Sequence, residues 1–164
     1  MELMEWIERR MSVRGFTIDA VPPELVTEAL RVGNLAPSAR NLQARDFAVV
    51  TDPNAKRSLA QAANRRCVEE EQVVIVCYAN LQKIGSYGHI GKELYCLQEV
   101  ATAYENMLLF FMEKGYESCW VGAFDGKAVL HALSIPSYIR PVAMHPIGRP
   151  KESGMKTSRI GPSN

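Results

Sequence analysis

Apolar residues recur along this chain at spacings of three and four, interrupted by short continuous apolar runs. Leu3, Met4, Ile7 and Met11 lie at helical spacing and predict a helix over residues 2–11. Pro22-Pro23 sets up a second helix through Val32, with Leu25, Val26, Ala29 and Leu30 on one face. Gly33 and Asn34 end it, and a loop rich in Pro, Ser and Asn follows. Phe47–Val50 reads as a strand, and Asp52-Pro53 caps a helix to Asn64. Val73–Tyr78 is almost wholly apolar, the pattern of a central strand covered on both faces.

Residues 82–92 hold Gly85, Gly88 and Gly91 with Tyr87 and His89, which predicts a loop able to act as a mobile lid. A long helix is then expected from Lys92 to Lys114, with Leu94, Leu97, Ala101, Tyr104, Leu108 and Phe111 in one apolar seam. Its end, Met107–Met112, is apolar all round and must be buried. A helix this long and broad-faced in so short a chain points to a subunit interface as well as a core. Gly115 stops it; a strand at Ser118–Gly122, an Asp125-capped helix to Leu133 and a strand at Val142–Ile147 follow, with Pro136 and Pro141 bracketing the last turn. The tail from Gly148 has no periodicity and is too polar to pack alone, so it is either disordered or laid across another surface. Helices alternating with about four strands indicate a layered α/β or α+β domain. There is no internal repeat and no glycine-rich nucleotide motif.

Composition narrows the class. A chain of 164 residues with 47% hydrophobic content can build one core, alone or as a subunit of an oligomer. Nineteen basic and eighteen acidic residues leave a net charge of +1, which argues against a general nucleic-acid or membrane binder. The acidic start, Met1 to Glu5, lacks the signature of a signal peptide, and Met107–Met112 is too short to span a bilayer. Cys67, Cys77, Cys96 and Cys119 show neither C-x-x-C nor metal-ligand spacing. They read as buried thiols in a reducing cytoplasm; a redox-active pair is the alternative, with no spacing to support it.

Three segments are candidates for chemistry. Arg10, Ser12 and Arg14 place two guanidinium groups and a hydroxyl within five residues, a donor set suited to phosphate; a solvated helix end would look the same. Pro37-Ser38-Ala39-Arg40-Asn41 could aim hydroxyl and amide groups at a sugar alcohol, or be ordinary turn chemistry. Gly122-Ala123 would let backbone amides approach a ring, or simply end a strand. His89, His131 and His145 are far apart, and neither a nucleophile elbow nor a carboxylate dyad is present. A reaction carried by a cofactor therefore fits better than one carried by side chains.

The segments, in this order, resemble the FMN-dependent nitroreductase family. Its opening Arg-Arg-Ser-x-Arg-x-Phe is met by Arg10 to Phe16, and its Ala-Pro-Ser-x-x-Asn-x-Gln by Ala36 to Gln43. A helical stretch is matched by Gln98 to Leu109, a Gly-x-x-Ser-Cys-Trp-x-Gly-Ala-Phe run by Gly115 to Phe124, and the final strand by Arg140 to Pro150. The resemblance implies an α+β, three-layer α/β/α sandwich with a mostly antiparallel sheet, one domain over 1–164, and an interlocked homodimer in which residues 149–164 pack on the partner subunit. It implies FMN, with Arg10, Met11 and Ser12 at the phosphate and Arg14 at the pyrimidine edge. Pro37, Ser38, Ala39 and Asn41 would reach the cofactor from the partner, Gly122 and Ala123 would lie beside flavin N5, and Arg159 would reach the phosphate. NADH or NADPH is the implied donor, and a nitroaromatic, a quinone or another small metabolite the implied acceptor in a ping-pong cycle. Another FMN enzyme on this scaffold, a reductive dehalogenase or a dehydrogenase of a cofactor or peptide precursor, is the alternative, as is a non-enzymatic flavin binder. Residues 83–95 are the candidate lid, and Arg40, Tyr87, His89 and Tyr95 the candidate substrate contacts. The chain departs from the family at Met11, at Arg40, and at Ala44-Arg45, where Pro-Trp is usual; the last change removes an aromatic wall and hints, with Arg40 and His89, at an anionic or polar substrate.

Overall fold

A computed structural model describes residues 2–151 and 158–161. Strands β1 (Arg45–Val50), β2 (Val73–Asn80), β3 (Glu117–Ser118) and β4 (Ile139–Gly148) form an antiparallel sheet in the order β1-β2-β4-β3. The helices are α1 (Leu3–Arg9), α2 (Pro23–Asn34), α3 (Pro53–Ala63), α4 (Arg66–Glu70), α5 (Cys96–Glu113) and α6 (Gly126–Ala132). All eight residues of β2 are buried, as its apolar run requires. Val73, Ile75, Cys77 and Ala79 pack on α2 and α5, while Val74, Val76 and Tyr78 pack on α3, α4 and α6. The period-two alternation of the strand thus divides two cores between two helical layers. The result is the expected α+β, three-layer sandwich.

The element boundaries differ where tertiary contacts override local pattern. Helix α1 stops at Arg9, because Arg10 leaves helical geometry (φ −54, ψ 125). The five-residue α4 has too short a period to be read from sequence. Strand β4 begins at Ile139 and runs through Pro141, which pairs with Tyr78 just past a bulge opposite Cys77/Tyr78. A proline is tolerated there because the ladder is already irregular. Strand β3 holds only two residues; beyond it Cys119 offers its carbonyl to the Tyr104 hydroxyl (2.8 Å), and Val121 resumes pairing with Met144 as an isolated bridge.

The expected loop over 82–92 is helical. Short turns at Gly85–Tyr87 and Gly88–Ile90 lead through a wide turn, Gly91–Tyr95, into α5. Gly91 is buried, and a Cβ there would lie 2.6 Å from Tyr87 Cβ and 2.9 Å from the Ile84 carbonyl oxygen. Gly91 thus serves close packing, and the segment proposed as a lid over 83–95 is built of helical turns in place of an open loop. The predicted seam on the long helix also divides. Tyr104, Leu108 and Phe111 are buried in the chain's own core, whereas Leu94 and Ala101 are exposed.

Two buried polar groups hold the Pro37–Asn41 turn to this frame. The Glu99 carboxylate of α5 accepts from the backbone N–H of Ala39 (2.9 Å) and of Ala44 (2.7 Å). The Arg45 guanidinium donates to the carbonyls of Pro37 (3.2 Å), Asn34 (2.8 Å) and Ala36 (2.7 Å). Arg45 is therefore an internal brace, and its position corrects the expectation that it charges a substrate pocket. Burial pulls its pKa down, opposed by the Glu99 charge. Glu99→Ala would orphan two amide donors and leave Arg45 uncompensated. Since each orphaned buried donor costs about 1–3 kcal/mol, the variant should lose about 2–4 kcal/mol in denaturant unfolding. Unchanged stability would show that the carboxylate is not the clamp.

His145 lies in β4, fully buried, stacked on Tyr104 (4.3 Å between centroids) and edge-on to Phe111 (5.5 Å). Neither ring nitrogen has a hydrogen-bond partner among the described residues, and burial lowers its pKa to about 3. The unfolded chain takes up this proton near pH 6.5 and the folded chain only near 3, so stability is lost as pH falls through that window. Glu71 acts oppositely: burial, with the Cys67 and Glu70 charges, raises it to about 7, so its contribution is present below 4.5 and lost as pH rises through 7. Comparing wild type with His145→Phe at each pH cancels the Glu71 contribution. The stability difference, wild type minus variant, should fall by about 2 kcal/mol between pH 7 and pH 5. A pH-independent difference would mean that His145 is protonated or hydrogen-bonded in the folded protein.

Candidate functional site

The outer side of α5 organises the site. Its inner side is committed to the core, which leaves Gln98, Ala101, Thr102 and Glu105 exposed at helical spacing. The candidate residues gather along this stripe in two groups.

The first group is built on the turn before β1. Pro37, Ser38 and Ala39 face Tyr87, Tyr95, Gln98, Glu99 and Thr102 across an open cleft of about 390 Å³. Arg40, Asn41 and Gln43 all have positive φ (48°, 57° and 50°), a conformation that costs free energy for residues other than glycine. The turn holds it through Ser38 Oγ, which accepts from the Gln43 N–H (3.2 Å), and Asn41 Oδ1, which accepts from Gln43 Nε2 (3.0 Å). The strained backbone turns the Arg40 guanidinium over the Tyr87 ring (5.5 Å), and Tyr87 meets Tyr95 edge-on (5.2 Å). Three of the four candidate substrate contacts thus meet. His89 does not join them: it is exposed, off the cleft lining, and its charge is felt by Glu93.

The second group follows α1. Val13 is buried and its N–H donates to the Ser118 carbonyl (3.0 Å), so extended backbone turns Ser12 and Arg14 outward on either side of it. Met11 is half-buried against the core formed with α3, α4 and α6. Arg10 pairs loosely with Glu105 of the α5 stripe (3.7 Å), and Arg159 donates to the Arg10 carbonyl (3.3 Å). Glu117, half-buried near Arg9 and Arg10, is raised by burial and lowered by those two charges, burial prevailing. The start of the tail lies along the same run, with Thr17 N–H donating to Arg149 O (2.8 Å) and Lys151 N–H to Gly15 O (3.1 Å). The rest of the tail, 152–157 and 162–164, lies outside the described residues. Arg14 is exposed, yet close enough for its charge to act on Cys67 and Cys119 in the core that Val13 and Met11 join.

Gly122 and Ala123 are exposed beyond the Val121 bridge. The Trp120 indole folds over Gly122, and a Cβ there would lie 2.6 Å from Nε1. A small residue is demanded here by the chain's own tryptophan. Tyr104 fixes this segment from below, its hydroxyl donating to Cys119 O and Met144 O (3.1 Å) while its ring packs on Trp120.

Within one chain the two groups remain separate. Glu105 lies seven residues beyond Gln98 on α5, about 10 Å along the axis. Glu99, Arg45 and Tyr104 position the candidate residues without being recognisable as such from sequence, where they read as part of the matched helical stretch, a departure and part of the apolar seam. No helix of the described residues is long and apolar enough to cross a membrane.

The chain is similar to proteins of one kind. A model of the nitroreductase family matches residues 7–73 and 63–149. An NADH dehydrogenase of Thermus thermophilus is 30% identical over 93% of this chain and 88% of its own length. A solved nitroreductase family protein from Clostridium novyi NT superposes with a TM-score of 0.84 at 30% identity, over 93% of this chain and 87% of that one. A solved protein from Exiguobacterium sibiricum, named as a nitroreductase and in complex with FMN, shares the fold with a TM-score of 0.88 at 20% identity, over 98% and 94%. With the fold, the ordered segments and a family match across most of its length in agreement, the chain belongs to the nitroreductase family.

Proposed function

We propose that this protein is an FMN-dependent oxidoreductase that passes reducing equivalents from NADH or NADPH to a small organic acceptor, a nitroaromatic, a quinone or another metabolite, in a ping-pong cycle within a homodimer. The observation that supports this reading is the meeting of Arg10 and Arg159, 149 positions apart, beside the α5 stripe, with exposed Ser12 two residues from Arg10 in the chain. This donor set suits a phosphate dianion: two guanidinium-bearing residues and an exposed hydroxyl, with Arg10 held by a partly exposed ion pair that an anion can displace. The exposed Gly122-Ala123 segment offers small residues whose backbone a ring edge can approach. When bound, FMN supplies two-electron chemistry at N5. Arg10, Ser12 and Arg159 would hold the phosphate, with Met11 packed behind them. Arg14 would set a fixed positive charge at the pyrimidine edge. The Pro37–Asn41 turn of the partner would cover the ring and ribityl chain, with Arg40, Tyr87 and Tyr95 bounding the space for the donor and then the acceptor. No side chain is required as a proton-transfer catalyst.

The dimer has its own support. Helix α1 has no buried residue, and Leu3, Met4 and Ile7 are 64%, 61% and 45% exposed, so the amphipathic face predicted from sequence has no cover in one chain. Leu35 and Leu94, flanking the turn and the α5 stripe, are also exposed. The purified protein should run as a dimer by light scattering and carry about one FMN per chain, with an obligate interface commonly burying over about 2,000 Å². A monomer with FMN bound would overturn the shared site, and a colourless protein that takes up no added FMN would overturn the whole reading.

The two arginines should separate by redox measurement. A phosphate is dianionic in every redox state, so Arg10→Ala should weaken FMN binding and leave the midpoint potential nearly unchanged. The ring edge gains negative charge only on reduction, so a cation there stabilises the reduced form selectively. A charge-assisted contact of about 1.5–3 kcal/mol corresponds to a fall of roughly 30–65 mV in Arg14→Ala. Equal shifts in the two variants would show the roles to be misassigned.

A further inference from the structure

Cys67 and Cys119 are 52 residues apart in sequence, yet their sulfurs lie 4.0 Å from each other, both buried. Cys67 sits in the first turns of the five-residue α4, and Cys119 in the gap between β3 and the Val121–Met144 bridge. Neither lies within a continuous ladder of the sheet, so a disulfide between them would leave the β1-β2-β4 pairing intact. The other two thiols differ. Cys77 is fully buried in β2 and pushed up by burial, and Cys96 donates to the Lys92 carbonyl (3.2 Å) on the opposite face of the sheet.

We infer that Cys67 and Cys119 form a dithiol site that a hydroperoxide oxidises to an intramolecular disulfide. Charge favours Cys67 as the attacking sulfur. The contact with the Cys119 sulfur and the Arg14 and Arg65 charges hold it below the ordinary cysteine range, whereas Cys119 is pushed up by its partner and by burial. The thiolate, not the thiol, is the nucleophile. Cys67 thiolate attacks one peroxide oxygen, the O–O bond breaks, and the departing hydroxide or alkoxide leaves with a proton, so Cys67 becomes a sulfenic acid. Cys119 sulfur then attacks Cys67 sulfur; the S–S bond forms, the S–O bond breaks, and the hydroxide released takes the Cys119 proton as water. Two thiols lose one electron each and the peroxide gains both. The sulfurs must close to about 2.05 Å, a movement of about 2 Å. The site adjoins Arg14 and the Trp120–Gly122 segment without being part of the proposed flavin site, and it does not depend on that assignment.

The test is hydrogen peroxide treatment of the purified full-length protein, followed by thiol titration in denaturant and non-reducing peptide mapping. The four thiols should fall to two, the mass should drop by about 2 Da for the two hydrogens lost, and a Cys67–Cys119 cross-linked peptide should appear and vanish with dithiothreitol. In Cys119→Ala the resolving sulfur is gone, so a sulfenic-acid probe should label Cys67. A count that stays at four, cross-links through Cys77, Cys96 or a second chain, or over-oxidation that dithiothreitol does not reverse would each overturn the site. The mapping on wild type stands alone where the variant fails to fold.

Discussion

The two-sided burial of β2 is the constraint on which the remainder of the molecule rests. Its eight residues are buried on both faces and hydrogen-bonded on both edges, to β1 and β4. A strand in that position has to be roofed over its whole length. An eight-residue strand spans about 27 Å at about 3.4 Å per residue, and the 18 residues of α5 span about the same at about 1.5 Å each. One helix therefore suffices for most of the upper face, with α2 beside it, and three shorter helices share the lower face. The polar side of α5 is what this arrangement leaves over, and both groups of candidate residues are attached to it.

The turn that carries the first group could not hold its shape alone. Three non-glycine residues within four positions have positive φ, a conformation worth roughly 1–3 kcal/mol of strain at each bulky residue. The compensation comes from buried charge. Glu99 takes the two amides on either side of the strained segment, and Arg45 takes three carbonyls from the preceding stretch. Where the family commonly places Pro-Trp, rigidity here comes from an electrostatic brace. The buried charges are tolerated because each Glu99 oxygen and both terminal Arg45 nitrogens have a hydrogen-bond partner, while Arg45 Nε has none among the described residues. Arg31–Glu28 and Arg66–Glu70 are exposed pairs local to their helices and add little.

Legibility from sequence follows the range of the interaction. The β2 run, the helices capped by Asp52 and Asp125, and the buried end of α5 were readable because each is written in neighbouring residues. Gly91 misleads because a glycine that opens a loop and one that admits a close neighbour look alike until Tyr87 and Ile84 are placed, whereas Gly85 and Gly88 face open space. Strand β3 was overextended because the Tyr104 hydroxyl, from α5, takes the Cys119 carbonyl. Arg45 pointed outward in the sequence reading and inward in the fold, since its partners are carbonyls that any residue supplies. The Cys67–Cys119 contact has no sequence signal, because it joins segments 52 residues apart that meet only inside the folded core.

The division of the candidate site into two groups is itself informative. The proposed phosphate cluster at Arg10 and the proposed sugar- and ring-facing turn at Ser38 would serve one cofactor only if they could reach it together. In one chain they share the α5 stripe but stand apart along it, with α1 uncovered on its apolar side and Leu35 and Leu94 exposed nearby. Exposed apolar residues beside an incomplete polar site are economically explained by a second chain that covers the first and completes the second. In an interface related by a two-fold axis, the turn of one protomer that reaches the basic run of its partner does so twice, giving two equivalent sites. On the proposed dimer, burying α1 would link the stability of the fold to occupancy: assembly would cover the apolar face, and a bound anion would neutralise the arginines that already meet within each chain.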